Sequence, residues 1–248
     1  MSELVPNSVL PAHREPITLH TNDGLSLVGE LALPESGDPV ATIICLHPNP
    51  TGGGMMDSHL YRKAAWRLPA LAQVAILRFN FRGTTSAAGT SQGEYDRGGL
   101  EGLDLQAAID FAIARGLPNI WLVGWSFGTD VLLQHGNVDP VQGGILFSPP
   151  LKWSDESALP SWAQSGRPLL ALIPELDDYL QPAEAVERFA QVPQAKVIPV
   201  SGCKHLWVGE KFVRIAWDQA LTLILGTNVN WDWSGPMRKW DDLQGKLI

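Results

Sequence analysis

Short, unbroken apolar runs alternate with stretches of helical spacing along most of this chain, and nothing else in it restricts the fold as much. Val40–Leu46 (VATIICL) is continuous and β-branched, which suits a strand buried on both faces. Val74–Phe81, Ile120–Trp125, Gly144–Phe147, Leu169–Ile173 and Lys196–Val200 have the same character. Between them lie predicted helices over Ser58–Ala72, Leu100–Arg115, Phe127–His135, Ala183–Gln191 and Glu210–Leu225, the second ending before the helix-stopping Gly116. Ahead of the series, Ile17–Thr21 and Leu25–Leu33 flank Asn22-Asp23-Gly24, a strong hairpin signal. Repeated strand–helix units predict a mostly parallel, twisted sheet with helices on both faces and right-handed crossovers, opened by an antiparallel hairpin.

No internal repeat or low-complexity linker divides the chain, so one domain is expected over residues 1–248. It carries a Pro-punctuated leader over 1–16 and a tail over 227–248 that holds Trp231, Trp233 and Trp240 beyond the last regular unit. The composition is globular, with 45% apolar and 18% charged residues. A formal net charge of −8 without a Lys/Arg run argues against nucleic acid as a partner. No apolar stretch approaches the roughly 18 residues that span a bilayer. The N-terminus has no apolar core of signal-peptide type. Cys45 and Cys203 are far apart and do not form a disulfide framework, so a cytoplasmic location is expected.

The residues richest in chemistry are Gly124-Trp125-Ser126-Phe127-Gly128. Gly-x-Ser-x-Gly alone is a weak signal, because a tight turn with an incidental serine gives the same string. Here it joins the strand IWLV to a helix, the context in which the motif presents an exposed nucleophile. Glycine on either side leaves room for the sharp turn, and the helix N-terminus faces the serine with its amide dipoles. Leu46-His47-Pro48-Asn49-Pro50 with Gly52–Gly54, then Phe79-Asn80-Phe81-Arg82-Gly83, then Gly124–Gly128 resemble the α/β-hydrolase superfamily in content and order, over most of the chain. More narrowly the chain resembles the small cytoplasmic, dienelactone-hydrolase-like branch with an HPxP loop. Dienelactone hydrolases themselves carry a cysteine nucleophile, where this chain has Ser126.

A serine hydroxyl needs a base within hydrogen-bond reach. The chain order of this fold is Ser, acid, His, and among six histidines His205 alone follows the last strand. The acid should leave the strand PLLALIP, where Glu175, Asp177 and Asp178 stand close together. The resemblance implies Asp177, with Pro174 in place of the family glycine and Asp178 one register away. Oxyanion stabilisation needs backbone N–H donors. Phe127 follows the nucleophile, and Asn49 remains in its turn because Pro48 and Pro50 have no N–H. The resemblance implies the same two residues. His47 is expected to pack in the turn, Gly52–Gly54 to form a flexible rim, and Arg82 to pair with Asp96 or Asp104.

Together these imply a carboxylesterase that cleaves small to medium soluble esters through an acyl-enzyme on Ser126. A peptidase or thioesterase could use the same machinery, and a non-catalytic binding protein could share the fold. The stretch between Pro150 and Leu169 allows only a short cap. Trp153, Trp162 and Trp207 are candidates for the wall of the substrate pocket, against the alternative that their rings fill the core. No cofactor or metal fingerprint appears. The expected partner is a small-molecule ester, with no nucleic acid and no membrane, and a homodimer is compatible with the sequence.

Overall fold

The apolar runs become the strands of one eight-stranded sheet. The structure, a computed structural model, describes residues 4–240. It begins with β1 (Ser8–Val9), β2 (His13–His20), β3 (Ser26–Leu33) and β4 (Ala41–Leu46), then a 3-10 turn over Pro50–Gly52 and α1 (His59–Ala72). Next come β5 (Val74–Phe79), a small ribbon of β6 (Thr85–Ser86) and β7 (Gly89–Thr90), and α2 (Glu101–Ala114). β8 (Ile120–Trp125), α3 (Phe127–His135), β9 (Gly143–Phe147) and α4 (Ala158–Ser165) follow. The last units are β10 (Leu169–Leu176), α5 (Pro182–Phe189), β11 (Ala195–Lys204), α6 (Glu210–Leu225) and β12 (Arg238–Lys239).

The strand order is β11-β10-β9-β8-β4-β5-β3-β2. From β11 to β5 every neighbouring pair is parallel, and the β2–β3 hairpin joins β5 antiparallel. The side-chain period of two explains the unbroken apolar runs. In β4, Ile43 and Cys45 pack with α1 and α6 on one face, while Ile44 and Leu46 pack with α2, α3, α4 and α5 on the other. Each fully buried Leu or Ile contributes about 1.5–3 kcal/mol, so both faces drive the strand into the middle of the sheet.

Two features differ from the sequence expectation. The segment between β9 and β10 is short, but it contains α4. This helix packs against the α3 side of the sheet through buried Ala158, Leu159 and Trp162. The tail also returns, since β12 pairs antiparallel with β1 and Trp240 stacks on Trp66 at 5.0 Å. The rest of the tail, residues 241–248, lies outside the described residues. Among those described, no helix is long and apolar enough to cross a membrane.

Candidate active site

The strand order switches between β4 and β8, with β5 laid to one side and β9, β10 and β11 to the other, and Ser126 stands at the carboxyl end of β8, where open α/β sheets bind ligands. It has φ 51° and ψ −122°, a region a side chain adopts only when its surroundings force it. The forcing contacts are visible. A Cβ on Gly128 would lie 1.9 Å from the Leu46 carbonyl oxygen, and one on Gly124 would lie 2.6 Å from the Gly128 oxygen. The motif glycines therefore let α3 close against β8 and against the end of β4.

That closure brings the His47–Gly54 turn beside the head of α3. His47 is buried; its Nε2 accepts the Phe81 N–H at 3.0 Å, so Nδ1 carries the proton and donates to the Pro48 carbonyl at 2.7 Å. Burial pushes its pKa down to about 4, although the Pro48 contact favours the charged form. As expected, it is a packed turn residue. Gly52–Gly54 is not a loose rim. The Asn49 side chain accepts the Thr51 N–H at 3.1 Å, the Gly52 and Gly54 N–H groups donate to the Asn49 carbonyl, and Gly53 takes φ 84°. Phe127 is the first residue of α3, so its N–H has no helical acceptor and points out of the helix end beside Ser126.

His205 follows β11 and Asp177 follows β10, two parallel neighbours that deliver both loops to the same sheet edge. The Asp177 carboxylate can only accept, so His205 Nδ1 donates to it, at 3.0 and 2.9 Å to Oδ1 and Oδ2. Nε2 is then the acceptor, and the Ser126 hydroxyl donates to it at 2.9 Å. Burial disfavours the Asp177 charge. Hydrogen bonds from His205 and from the Tyr179 and Leu180 N–H groups outweigh it and hold the carboxyl below its ordinary value. Ser126 and His205 keep 7% and 8% exposure, enough to be reached from solvent.

The neighbouring carboxylates divide their roles by direction. Asp178 is exposed, and Glu175 accepts the Ser201 hydroxyl at 2.8 Å and the Gly202 N–H at 2.7 Å, tying the ends of β10 and β11 together. Arg82 pairs with Asp104, as one of two expected partners, and also with Asp23. Asp96 instead accepts the Leu100 N–H at the start of α2.

Two of the three tryptophans expected in the pocket wall are core residues. Trp162 is fully buried with its indole N–H on the Leu133 carbonyl at 3.0 Å, and Trp207 is fully buried with its N–H on Ser148 Oγ at 2.8 Å. Both rings have their polar handle satisfied inside the protein, which leaves no surface for a ligand. Trp153 differs: it is half-buried and packs edge-on against Phe127 at 5.5 Å. Tyr179, which carried no motif signal, packs on the His205 ring at 4.6 Å and is 55% exposed. Its place two residues after the acid is the sequence signal that could have found it.

A strained serine between a strand and a helix, an aspartate after β10 and a histidine after β11, and this sheet order have a shared precedent. Over 92% of its length the chain matches 99% of a lid-less α/β serine hydrolase from Xanthomonas campestris, with TM-score 0.70 and 25% identity. The chain has the fold of the α/β-hydrolase superfamily. The structure of Est1E from Butyrivibrio proteoclasticus with ferulic acid bound matches 85% of this chain and all of its own, with TM-score 0.71 and 15% identity. An uncharacterised protein of Rickettsia prowazekii is 32% identical over 117 residues, a match spanning about half of either chain (46% of each). No family model matches the sequence.

Proposed function

We propose that this α/β hydrolase is a serine carboxylesterase acting on small to medium esters, with Ser126 as nucleophile, His205 as general base and acid, and Asp177 as the group that orients and charges the pair. The observation that carries this reading is the unbroken chain from Ser126 Oγ to His205 Nε2 and from His205 Nδ1 to Asp177, all within 3.0 Å. In the first step Ser126 Oγ forms a bond to the ester carbonyl carbon while its proton passes to Nε2. The imidazolium so formed faces a carboxylate held in its charged form. The carbonyl oxygen becomes an oxyanion, for which the Phe127 and Asn49 N–H groups are the proposed donors. Collapse breaks the bond to the alcohol oxygen, which leaves with the Nε2 proton. Water then repeats the sequence on the acyl-enzyme, giving the acid and restoring Ser126.

Substrate size follows from the surroundings of the pair. Tyr179 at 55% and Leu206 at 58% exposure flank His205, and Trp153 lies on Phe127. These apolar groups support binding of hydrophobic acyl or alkyl parts, worth about 0.8 kcal/mol per buried methylene. The lid-less hydrolase and Est1E with ferulic acid bound, among its neighbours, support the same reading. The test is labelling with a fluorophosphonate probe together with turnover of p-nitrophenyl esters of rising chain length, run beside thioester and peptide substrates. Labelling at Ser126, with turnover of the esters exceeding that of the other two, is expected. Absence of labelling in the folded protein returns the chain to a binding role.

A further inference from the structure

We infer that Trp125 and Ser148 are positioning residues that act together on the backbone carbonyl of His205, holding the base in line with the nucleophile. The inference rests on the esterase reading. His205 sits in a tight turn closed by the Trp207 N–H on the Lys204 carbonyl at 2.9 Å, and a turn at a strand end is free to rock unless its middle is tied. The tie is its carbonyl oxygen, which accepts the Trp125 indole N–H at 3.1 Å and the Ser148 hydroxyl at 3.2 Å.

The proton directions are forced. An indole only donates, so Trp207 Nε1 gives its proton to Ser148 Oγ at 2.8 Å and leaves the Ser148 hydroxyl proton for His205. Both clamping groups are almost fully buried, at 3% and 2% exposure, so water does not compete for the carbonyl. The residues they stand on matter as much as the bonds. Trp125 immediately precedes Ser126, and its side chain leaves the opposite face of the strand, so the residue next to the nucleophile grips the backbone of the base. Ser148 directly follows β9, is fixed by its own N–H on the Leu172 carbonyl at 3.0 Å, and takes φ 51°. Left-handed backbone at a serine is strained and persists where surrounding contacts demand it. Trp207, with φ 54°, completes the set, and His59 Nε2–H donates to its carbonyl at 3.2 Å. Registration of Ser126 against His205 thus runs through two hydrogen bonds behind the imidazole, on the side away from substrate.

The test uses the full chain with p-nitrophenyl acetate and compares Trp125→Phe, Ser148→Ala and the double variant. Trp125→Phe keeps the ring and removes only the N–H. Each single variant is expected to lose about tenfold in kcat and the double about a hundredfold or more, with KM within about twofold of wild type, because misplacing a catalytic group by a fraction of an ångström acts on the chemical step. Trp217→Phe removes an equally buried indole N–H, from the Leu60 carbonyl, and should leave kcat near wild type. Melting temperatures accompany every variant. Lower melting temperatures with unchanged kcat in both singles would overturn the inference and assign the pair to packing; if the double variant does not fold, the singles decide. His205→Ala run alongside separates the two readings. If it retains turnover, the base assignment fails, whereas its inactivity with undiminished Trp125→Phe and Ser148→Ala refutes the clamp alone.

Discussion

Neither Gly124 nor Gly128 has a left-handed φ; the strained residue of the motif is the serine between them. The glycines are required by proximity, with the Gly128 α-carbon lying against the Leu46 and His47 carbonyls. Gly128→Ala should push α3 off the end of β4 and separate Phe127 from the Asn49 turn. A loss of about 1–3 kcal/mol in chemical unfolding is expected from such overpacking, with a larger fall in ester turnover than that loss explains. The same local reasoning separates the two adjacent acids. Asp177 accepts from His205 and is buried; Asp178 is exposed. Asp177→Asn, which can stabilise the wrong imidazole tautomer, should lower kcat on the order of 10⁴-fold. Asp178→Asn should leave it near wild type. Steady-state kinetics on the two purified variants checks this, and the reverse ranking would hand the role to Asp178.

Elements with a strong period were legible, and those held by distant partners were not. β8, α3 and α6 begin and end where apolar spacing and turn residues predict, because each presents a face the core must cover. α4 was not foreseen: its sequence ALPSWAQS includes a proline, Ser157 makes no side-chain cap, and the helix depends on Trp162 docking on α3. β1 and β12 were invisible for a stronger reason, being two-residue strands that meet across most of the chain, Ser8 opposite Lys239. The site divides in the same way. Ser126 and His205 were readable because motif and chain order carry them, and only the family resemblance singled out Asp177 among three adjacent acids, whereas the direction in which Trp162 and Trp207 point is set by packing that no local pattern encodes. Trp162→Ala should therefore cost about 3–5 kcal/mol in unfolding free energy and leave the acyl-chain preference of the folded fraction unchanged. Trp153→Ala should do the opposite, flattening the chain-length profile of kcat/KM with a small stability change. Thermal melts and the ester panel on both variants distinguish these outcomes.

Across the whole molecule, acid sensitivity should begin well above the range in which carboxylates titrate, and His47 is the reason. Both its nitrogens are engaged, Nε2 as acceptor of a backbone N–H, so a second ring proton would face another donor inside the core. The folded protein therefore holds His47 neutral, with its pKa lowered from 6.5 to about 4. A depressed pKa means that the unfolded chain binds the extra proton first as pH falls. The stabilising effect of keeping this group neutral is complete above pH 6.5 and is lost progressively down to about 4. Over that interval it amounts to on the order of 3 kcal/mol, at about 1.36 kcal/mol per unit. Asp177 and Glu210 are also depressed, from 3.8 and 4.5, so their stabilisation disappears only at lower pH. His59 is lowered by burial and runs in the same direction as His47, while Asp104 and Asp130, raised by burial, run against it. All five are shared by wild type and His47→Gln, so subtracting the two proteins leaves the His47 contribution. Urea unfolding at half-unit steps from pH 7 to pH 4 should show the wild type losing stability more steeply than His47→Gln by up to one proton per molecule. Parallel curves would mean that His47 takes up its proton without unfolding the turn that carries Asn49.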